Sequence, residues 1–230
     1  MISKIVNWIR ETTIQEDSMV SVIIRNHNEH EYIGFSIQSV LEYIPDAEIL
    51  IIDDHSTDDS LGVVKLFNNR GDIKVTTIDD YTPGKAINLG VKLAKYETIL
   101  VLSAHSQITK MNLGYVQTKL KYYSAVFGNQ TPIYRGKKIT KRYIWSHFGT
   151  DEEVDNMHST IEDRPFLHNA FCFYNKKDLV KNPFDESIPG KEDRYWAIEI
   201  LEEGKNYLYT PSIEVNHYYT GNGATWKGLG

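Results

Sequence analysis

The chain predicts an α/β fold with a mostly parallel central sheet flanked by helices, and three observations carry that reading. Three apolar runs end abruptly in polar clusters: SVIIRNHNE (21–29), EILIIDDHSTDDSL (48–61) and TILVLSAHS (98–106). Their β-branched and aliphatic residues do not alternate with polar ones, as expected of strands buried on both faces. Helical spacing fills the gaps, beginning with Ile33, Ile37, Leu41 and Ile44. Strand then follows helix at βαβ intervals up to about residue 124. In such sheets ligands sit outside the carboxyl ends of the strands, so a small-molecule or nucleotide site is expected at the polar clusters.

A strand at 20–25 leads into a helix near 31–44. The strand at 48–53 meets Asp53 and Asp54, and Asp58 or Asp59 is placed to cap a helix near 58–69. A short strand at 73–78 precedes the loop DDYTPG and a helix at 84–95, whose apolar stripe is Ile87, Val91 and Ala94. After the strand at 98–102, a helix at about 111–123 turns Leu113, Val116, Leu120 and Tyr123 inward. Beyond residue 124 the rhythm breaks. AVFGNQTP (125–132) has strand character, and 133–165 shows no clear period. FLHNAFCFY (166–174) reads as a strand, and KEDRYWAIEILEEG as a helix closed by Gly204. Short strands are expected around 207–209 and 213–217.

At 230 residues the chain makes one large α/β domain, or one and a small appendage. A net charge of −6 argues against broad binding to nucleic-acid backbones. The single cysteine, Cys172, cannot form an internal disulfide, and within AFCFY it reads as a small buried hydrophobe. That usage is consistent with the cytoplasm. No segment approaches the roughly 18–20 apolar residues of a membrane span, and MISKIVNWIRE lacks the apolar core of a signal peptide. Ile2, Ile5, Val6 and Ile9 share one helical face, suited to packing on the domain or to a peripheral membrane or partner contact. The basic stretch RGKKITKR (135–142) is followed by the acidic TDEEVDN (150–156). Both suit a solvated face, or a mobile loop that grips an anionic substrate.

Taken in order, strand–RNHNE, strand–DDHSTDDS, PGKAINLG, strand–LSAHS and NPFDESIPGKEDRYWA resemble a family 2 glycosyltransferase over about residues 18–220. The resemblance implies the GT-A fold over 18–230. A Rossmann-like nucleotide half (about 18–106) would join an acceptor half (about 107–230), behind an N-terminal helical extension at 1–17. It further implies transfer of a sugar from a nucleotide-sugar donor, UDP or dTDP type, to an acceptor hydroxyl with inversion. The setting implied is bacterial surface-glycan synthesis on a glycan or lipid-linked glycan, in the cytoplasm at the inner face of the membrane.

Carried onto this sequence, the family's nucleoside pocket falls on Arg25, Asn26 and Asn28 and on Asp54 or its neighbour Asp53. A carboxylate only accepts, which suits a base N–H or a ribose hydroxyl. PGKAINLG resembles a Gly-x-x-x-Ala-x-Asn-x-Gly segment, with Lys85 at a helix start where anions are favoured and Asn88 holding the loop. Most relatives have Asp-x-Asp at the third strand end. Here Ser103-Ala104-His105 stands instead, and His217 falls where a later histidine ligand would complete the site. The implied cofactor is a divalent ion, Mn²⁺ or Mg²⁺, with imidazole favouring Mn²⁺. Glu192-Asp193 resembles the pair that supplies the general base, with Asp193 as base and Glu192 orienting; two carboxylates at a helix start are also ordinary dipole partners. Gln130 in FGNQTP and Asn169 in LHNAF are placed to bind acceptor hydroxyls. Trp145 and Trp226 can stack on sugar rings, whereas Trp196 on a helix is a core residue. The tail YYTGNGATWKGLG can close over the diphosphate, with Lys227 stabilising the departing charge.

Two rivals are weaker. A sugar-1-phosphate nucleotidyltransferase expects a Gly-rich, basic loop after the first strand, which RNHNEHEY lacks. A catalytically degenerate GT-A module, binding carbohydrate or a protein partner, is favoured by the missing aspartates. It is opposed by Glu192, Asp193 and His217.

Overall fold

The computed structural model describes residues 19–139 and 143–223. The expected N-terminal extension, Trp226, Lys227 and part of the basic stretch lie outside the described residues. The first half runs β1 (Val20–Asn26), α1 (Ile33–Tyr43), β2 (Glu48–Asp53), α2 (Ser60–Lys65), β3 (Asp72–Thr77), α3 (Pro83–Leu93) and β4 (Thr98–Ser103). The second half opens with β5 (Ser106–Lys110), α4 (Leu113–Lys119) and β6 (Ala125–Tyr134). Short pieces follow: β7 (Lys137–Lys138), a 3-10 segment (Tyr143–Gly149), β8 (Val154–Asp155), β9 (His158–Ser159) and β10 (Arg164–Pro165). β11 (Phe171–Asn175), α5 (Lys176–Lys181), α6 (Glu192–Glu202) and β12 (Tyr207–Tyr218) complete the chain.

The main sheet has the order β3-β2-β1-β4-β11-β6-β12-β5. β3, β2, β1 and β4 are mutually parallel, β11 runs against β4 and β6, and β12 is parallel to β6. Successive side chains of a strand point to opposite faces, and here both faces are covered. Ile23 joins Ile52, Val101, Phe127 and Trp196 on one side. Its neighbours Val22 and Ile24 join Ile37, Ile51 and Leu102 on the other. That double burial explains why the runs show no alternation. Among the described residues no helix is long and apolar enough to cross a membrane.

Several local expectations are corrected by contacts distant in sequence. The helix expected over 58–69 is only Ser60–Lys65. Asp59 holds its N-cap position without a side-chain bond, while Asp58 Oδ1 accepts from Ser60 N at 2.9 Å. β5 forms where no strand was expected, because 106–110 pairs with β12 about a hundred residues later. The expected strand over 166–174 begins only at Phe171, leaving 166–170 as a loop. The two short strands near the end are one strand, β12, with an irregularity between Thr210 and Glu214. Gly204, at φ +72°, does close α6.

Candidate active site

Parallel register brings the three strand ends together: Asn26 lies opposite Asp53, and Arg25 opposite Ser103. Beyond them opens a cavity of about 240 Å³. Arg25, Asn26, Asp54, Ser103 and His105 reach it from the strand ends, Asn169 from the loop before β11, and Glu192 and Asp193 from the first turn of α6. A second cavity, of about 380 Å³, adjoins it and shares Glu29 and Asn222.

The two α6 carboxylates are held from several directions. Asp193 Oδ1 accepts from Arg194 N and Arg194 Nη1, each at 2.9 Å, and its Oδ2 accepts from Asn169 N at 2.8 Å. Glu192 Oε1 accepts from Arg25 Nη1 at 2.9 Å and from Asn169 Nδ2 at 3.0 Å. Glu192 Oε2 takes no hydrogen bond from the described residues. Arg25 therefore ties the end of β1 to the start of α6, 167 positions away. Burial is the largest influence on Arg25 and would lower its pKa, but Glu192, Tyr81 and Asp193 together outweigh it and hold the guanidinium charged. Tyr81 is pushed the same way, upward, by burial; Arg25 opposes this, and Glu192 and Asp54 reinforce it.

Not every residue singled out in the sequence meets the cavity. Asp53 is buried, and its oxygens accept from Asn26 Nδ2, Ser56 Oγ and Ser56 N at 2.7–3.0 Å, so it knots β1 to β2. Asn28, at φ +54°, accepts through Oδ1 from Thr57 N and Asp58 N and lines the second cavity. Lys85 turns its Nζ to the carbonyls of Asp79 and Asp80. Asn88 holds a loop, bonding Phe184 N and O. Asn169 lines the cavity, but Asn169 Nδ2 donates to Glu192 and its Oδ1 accepts from Tyr174 at 2.5 Å. Its amide organises the carboxylates. Gln130 is fully buried, with its amide between His168 and His217. Trp196 is a core residue as expected, its Nε1 donating to Asn182 O.

His105 and His217 do come together, with ring centroids 4.8 Å apart. His105 lines the cavity and stands 3.2 Å from Glu29 Oε1, which also accepts from Thr220 Oγ1. His217 is buried behind it, and burial pushes its ring well below the usual imidazole range, with His105 and His168 adding to the effect. Two imidazoles and a serine hydroxyl make a donor set compatible with a transition-metal ion. Among the described residues no three His, Cys, Asp or Glu side chains stand together as a cage. The cavity wall also carries four carboxylates, Glu29, Asp54, Glu192 and Asp193, against two permanent cations, Arg25 and Lys191. An anionic guest would need further positive charge there, which a divalent ion held by His105 and His217 would supply.

Sequence reasoning missed Glu29, Tyr81, His168, Lys191, Arg194 and Asn222. Asn222 Nδ2 bonds the carbonyls of His27 and Asn28, clasping β1's loop to the end of the described chain. Lys191 sits at φ +63°, an unusual conformation for a residue with a side chain, directly before α6. The surviving signal was the segments themselves: Glu29, His168, Lys191, Arg194 and Asn222 lie inside RNHNE, LHNAF, NPFDESIPGKEDRYWA and YYTGNGATWKGLG, and Tyr81 inside the loop DDYTPG.

Comparison with known proteins agrees with this architecture. A 98-residue stretch is 31% identical to the poly(ribitol-phosphate) β-N-acetylglucosaminyltransferase TarS of Staphylococcus aureus, covering 40% of this chain and 17% of that protein. The S. aureus poly(ribitol-phosphate) β-N-acetylglucosaminyltransferase TarP is 26% identical over 216 residues, 88% of this chain and 64% of that one. The chain thus spans less than two thirds of these relatives' length. Among solved structures, S. aureus TarS in complex with UDP superposes with a TM-score of 0.68 at 20% identity, covering 88% of this chain and 61% of that one. GalNAc-T7 with UDP, GalNAc and Mn²⁺ gives 0.67 at 18%, covering 89% and 44%. The family model described as Glycosyl transferase family 2 matches residues 21–181, well over half of the sequence. With its GT-A sheet, this chain belongs to the family 2 glycosyltransferases.

Proposed function

We propose that the cavity binds a nucleotide-sugar donor and that the chain transfers the sugar, with inversion, to an acceptor hydroxyl. The observation that carries this reading is one cavity walled by both Asp54, Ser103 and His105 from the strand ends and Glu192 and Asp193 from α6. Nucleotide-type ligands are expected at such strand ends, and a paired carboxylate opposite them supplies a base. Residues 18–106 would form the nucleotide half and 107–230 the acceptor half. UDP or dTDP is the donor type favoured, since UDP occupies the neighbours named above.

Asp54 accepts from the base or ribose, and Asn26 shapes that wall. Asp193 takes the acceptor proton on Oδ2, where Asn169 N leaves a lone pair in use by nothing else among the described residues. Arg194 holds Asp193 and Arg25 holds Glu192, each by a hydrogen bond from its guanidinium. Glu192 is the second choice for base, because its Oε2 takes no hydrogen bond from the described residues. A divalent ion held by His105 and His217 beside Ser103, in this Ser-Ala-His variant of the family's Asp-x-Asp, would offset charge on the leaving diphosphate. The acceptor class is a bacterial surface glycan or a lipid-linked glycan at the inner membrane face; the names of TarS and TarP give poly(ribitol-phosphate) for those two proteins.

Calorimetric titration of UDP, dTDP, GDP and CMP with and without Mn²⁺ tests the donor site. Binding of one nucleotide, strengthened by Mn²⁺ in the wild type but not in His105→Ala, is the expected result. Binding that ignores Mn²⁺ removes the ion and leaves Arg25 as the charge partner. No binding at all returns the chain to the degenerate-module reading.

A further inference from the structure

We propose that Gln130 is a positioning residue: oriented by His168, whose tautomer the Ala170 N–H sets, it selects the tautomer of His217 and keeps Nε2 of His217 as the lone-pair nitrogen. Its amide lies 3.1 Å from His168 Nδ1 through Nε2 and 2.9 Å from His217 Nδ1 through Oε1. Side-chain amides and imidazoles are ambiguous in isolation, because their atoms can be exchanged by a flip. Here one fixed point removes the ambiguity. The backbone N–H of Ala170, which can only donate, points at His168 Nδ1 from 3.2 Å.

From that point the hydrogens follow in sequence. His168 Nδ1 must carry a lone pair, so the Gln130 atom facing it must be the NH₂ and not the carbonyl. The Gln130 carbonyl is thereby turned to His217, and because it only accepts, His217 Nδ1 must carry the hydrogen. A neutral imidazole has one ring hydrogen, which leaves the lone pair of His217 on Nε2 and the hydrogen of His168 on Nε2.

The packing holds this arrangement. β6 and β12 pair with Gln130 opposite Val215, so His217 follows two positions on, within side-chain reach. The Trp145 ring meets His217 edge-on at 4.9 Å, and Phe148 meets His168 at 5.8 Å. Gln130 is fully buried, so water does not compete for its amide. A metal ligand must offer a deprotonated nitrogen, and an outer partner on the other nitrogen fixes which one. That consequence rests on the proposed donor site; the tautomer assignment does not.

Nitrogen-15 NMR of histidine-labelled protein reads the tautomers directly, and Mn²⁺ titration in the presence of UDP reads their consequence. In the wild type, His217 is expected as the Nδ1–H form and His168 as the Nε2–H form. Gln130→Leu should release the His217 tautomer and weaken Mn²⁺ binding by about 10–100-fold, with His168 still fixed by Ala170 N and metal-free UDP binding retained. Gln130→Glu keeps an acceptor for His217, so His217 should stay in the Nδ1–H form; it carries the test if the leucine variant fails to fold, and loss of that form there overturns the proposal. A wild-type His217 in the Nε2–H or cationic form overturns it too, as does a His217 tautomer unchanged in Gln130→Leu. Absence of any Mn²⁺ effect in the wild type would instead count against the metal reading, with the tautomers still deciding the role of Gln130.

Discussion

The two ends of the parallel sheet both bury carboxylates, and they use them in opposite ways. At the amino end Glu48 is fully buried, and the protein satisfies both of its oxygens. Oε1 accepts from Lys74 Nζ at 2.9 Å, and Oε2 from Ser21 Oγ and Lys95 N at 2.7 and 2.8 Å. Burial would raise its pKa, but these partners outweigh it and hold the acid ionised. At the carboxyl end Glu192 and Asp193 are also held by donors, and Asp54 has His27 Nδ1 3.4 Å away, yet all three border a cavity. A buried carboxylate satisfied on every side is structural, whereas one satisfied on most sides and open on one is preorganised for a guest.

Four substitutions break or sharpen that contrast. Asp193→Asn should have the largest effect. Turnover falls by about 10²–10⁴-fold, the usual worth of a general base, while calorimetric UDP affinity stays near wild type. Loss of UDP affinity in equal measure would make Asp193 a binding residue, and a deeper loss in Glu192→Gln would reassign the base. Glu48→Leu should do the reverse. Removing it strands Ser21, the Lys95 amide and two lysines, lowering stability in urea unfolding by about 2–3 kcal/mol. UDP affinity of the folded protein should not change.

Asp54→Ala should weaken UDP by about tenfold, the loss of one hydrogen bond to a charged acceptor, with little change in unfolding midpoint. An unchanged affinity would move the base or ribose contact elsewhere on the wall. The smallest effect belongs to Asp58, a carboxylate of the same sheet end that is spent on its own loop. Burial opposes its ionisation, but Ser60 and His30 donate to it and hold its pKa at about 2. Asp58→Asn should cost about 1 kcal/mol at pH 7. Because the folded value lies below the ordinary 3.8, the unfolded chain takes up the proton first. The wild-type advantage should therefore hold above about pH 4 and shrink as pH falls toward 2. Urea midpoints across that range, measured for both proteins, check the sign.

The same contrast marks what could be foreseen. β1, β2 and β4 were legible because double burial leaves an unbroken apolar run, and each run ended where the cavity lies. Glu192 and Asp193 were legible as a pair opening a helix. Asp53 and Asp54 looked equivalent, yet only Asp54 faces the cavity, because alternation along the strand turns neighbours apart and Asn26 claims Asp53. Gln130 and Asn169 were read as acceptor contacts, and nothing local could show that Asn169 serves Glu192 or that Gln130 lies between two histidines.

By itself, then, the sequence determined the parallel sheet, its helices and the strand ends at which polar residues gather, since these follow from hydrophobic pattern and local propensity. The tertiary structure alone decided which of those polar groups face the cavity and which bind one another. β5 needed β12, Arg25 needed Glu192 from 167 positions away, and the histidines needed Gln130 on a neighbouring strand. The physical reason is that a buried polar group must find a partner. Where that partner comes from the other half of the chain, only the packing of the two halves says which one it is.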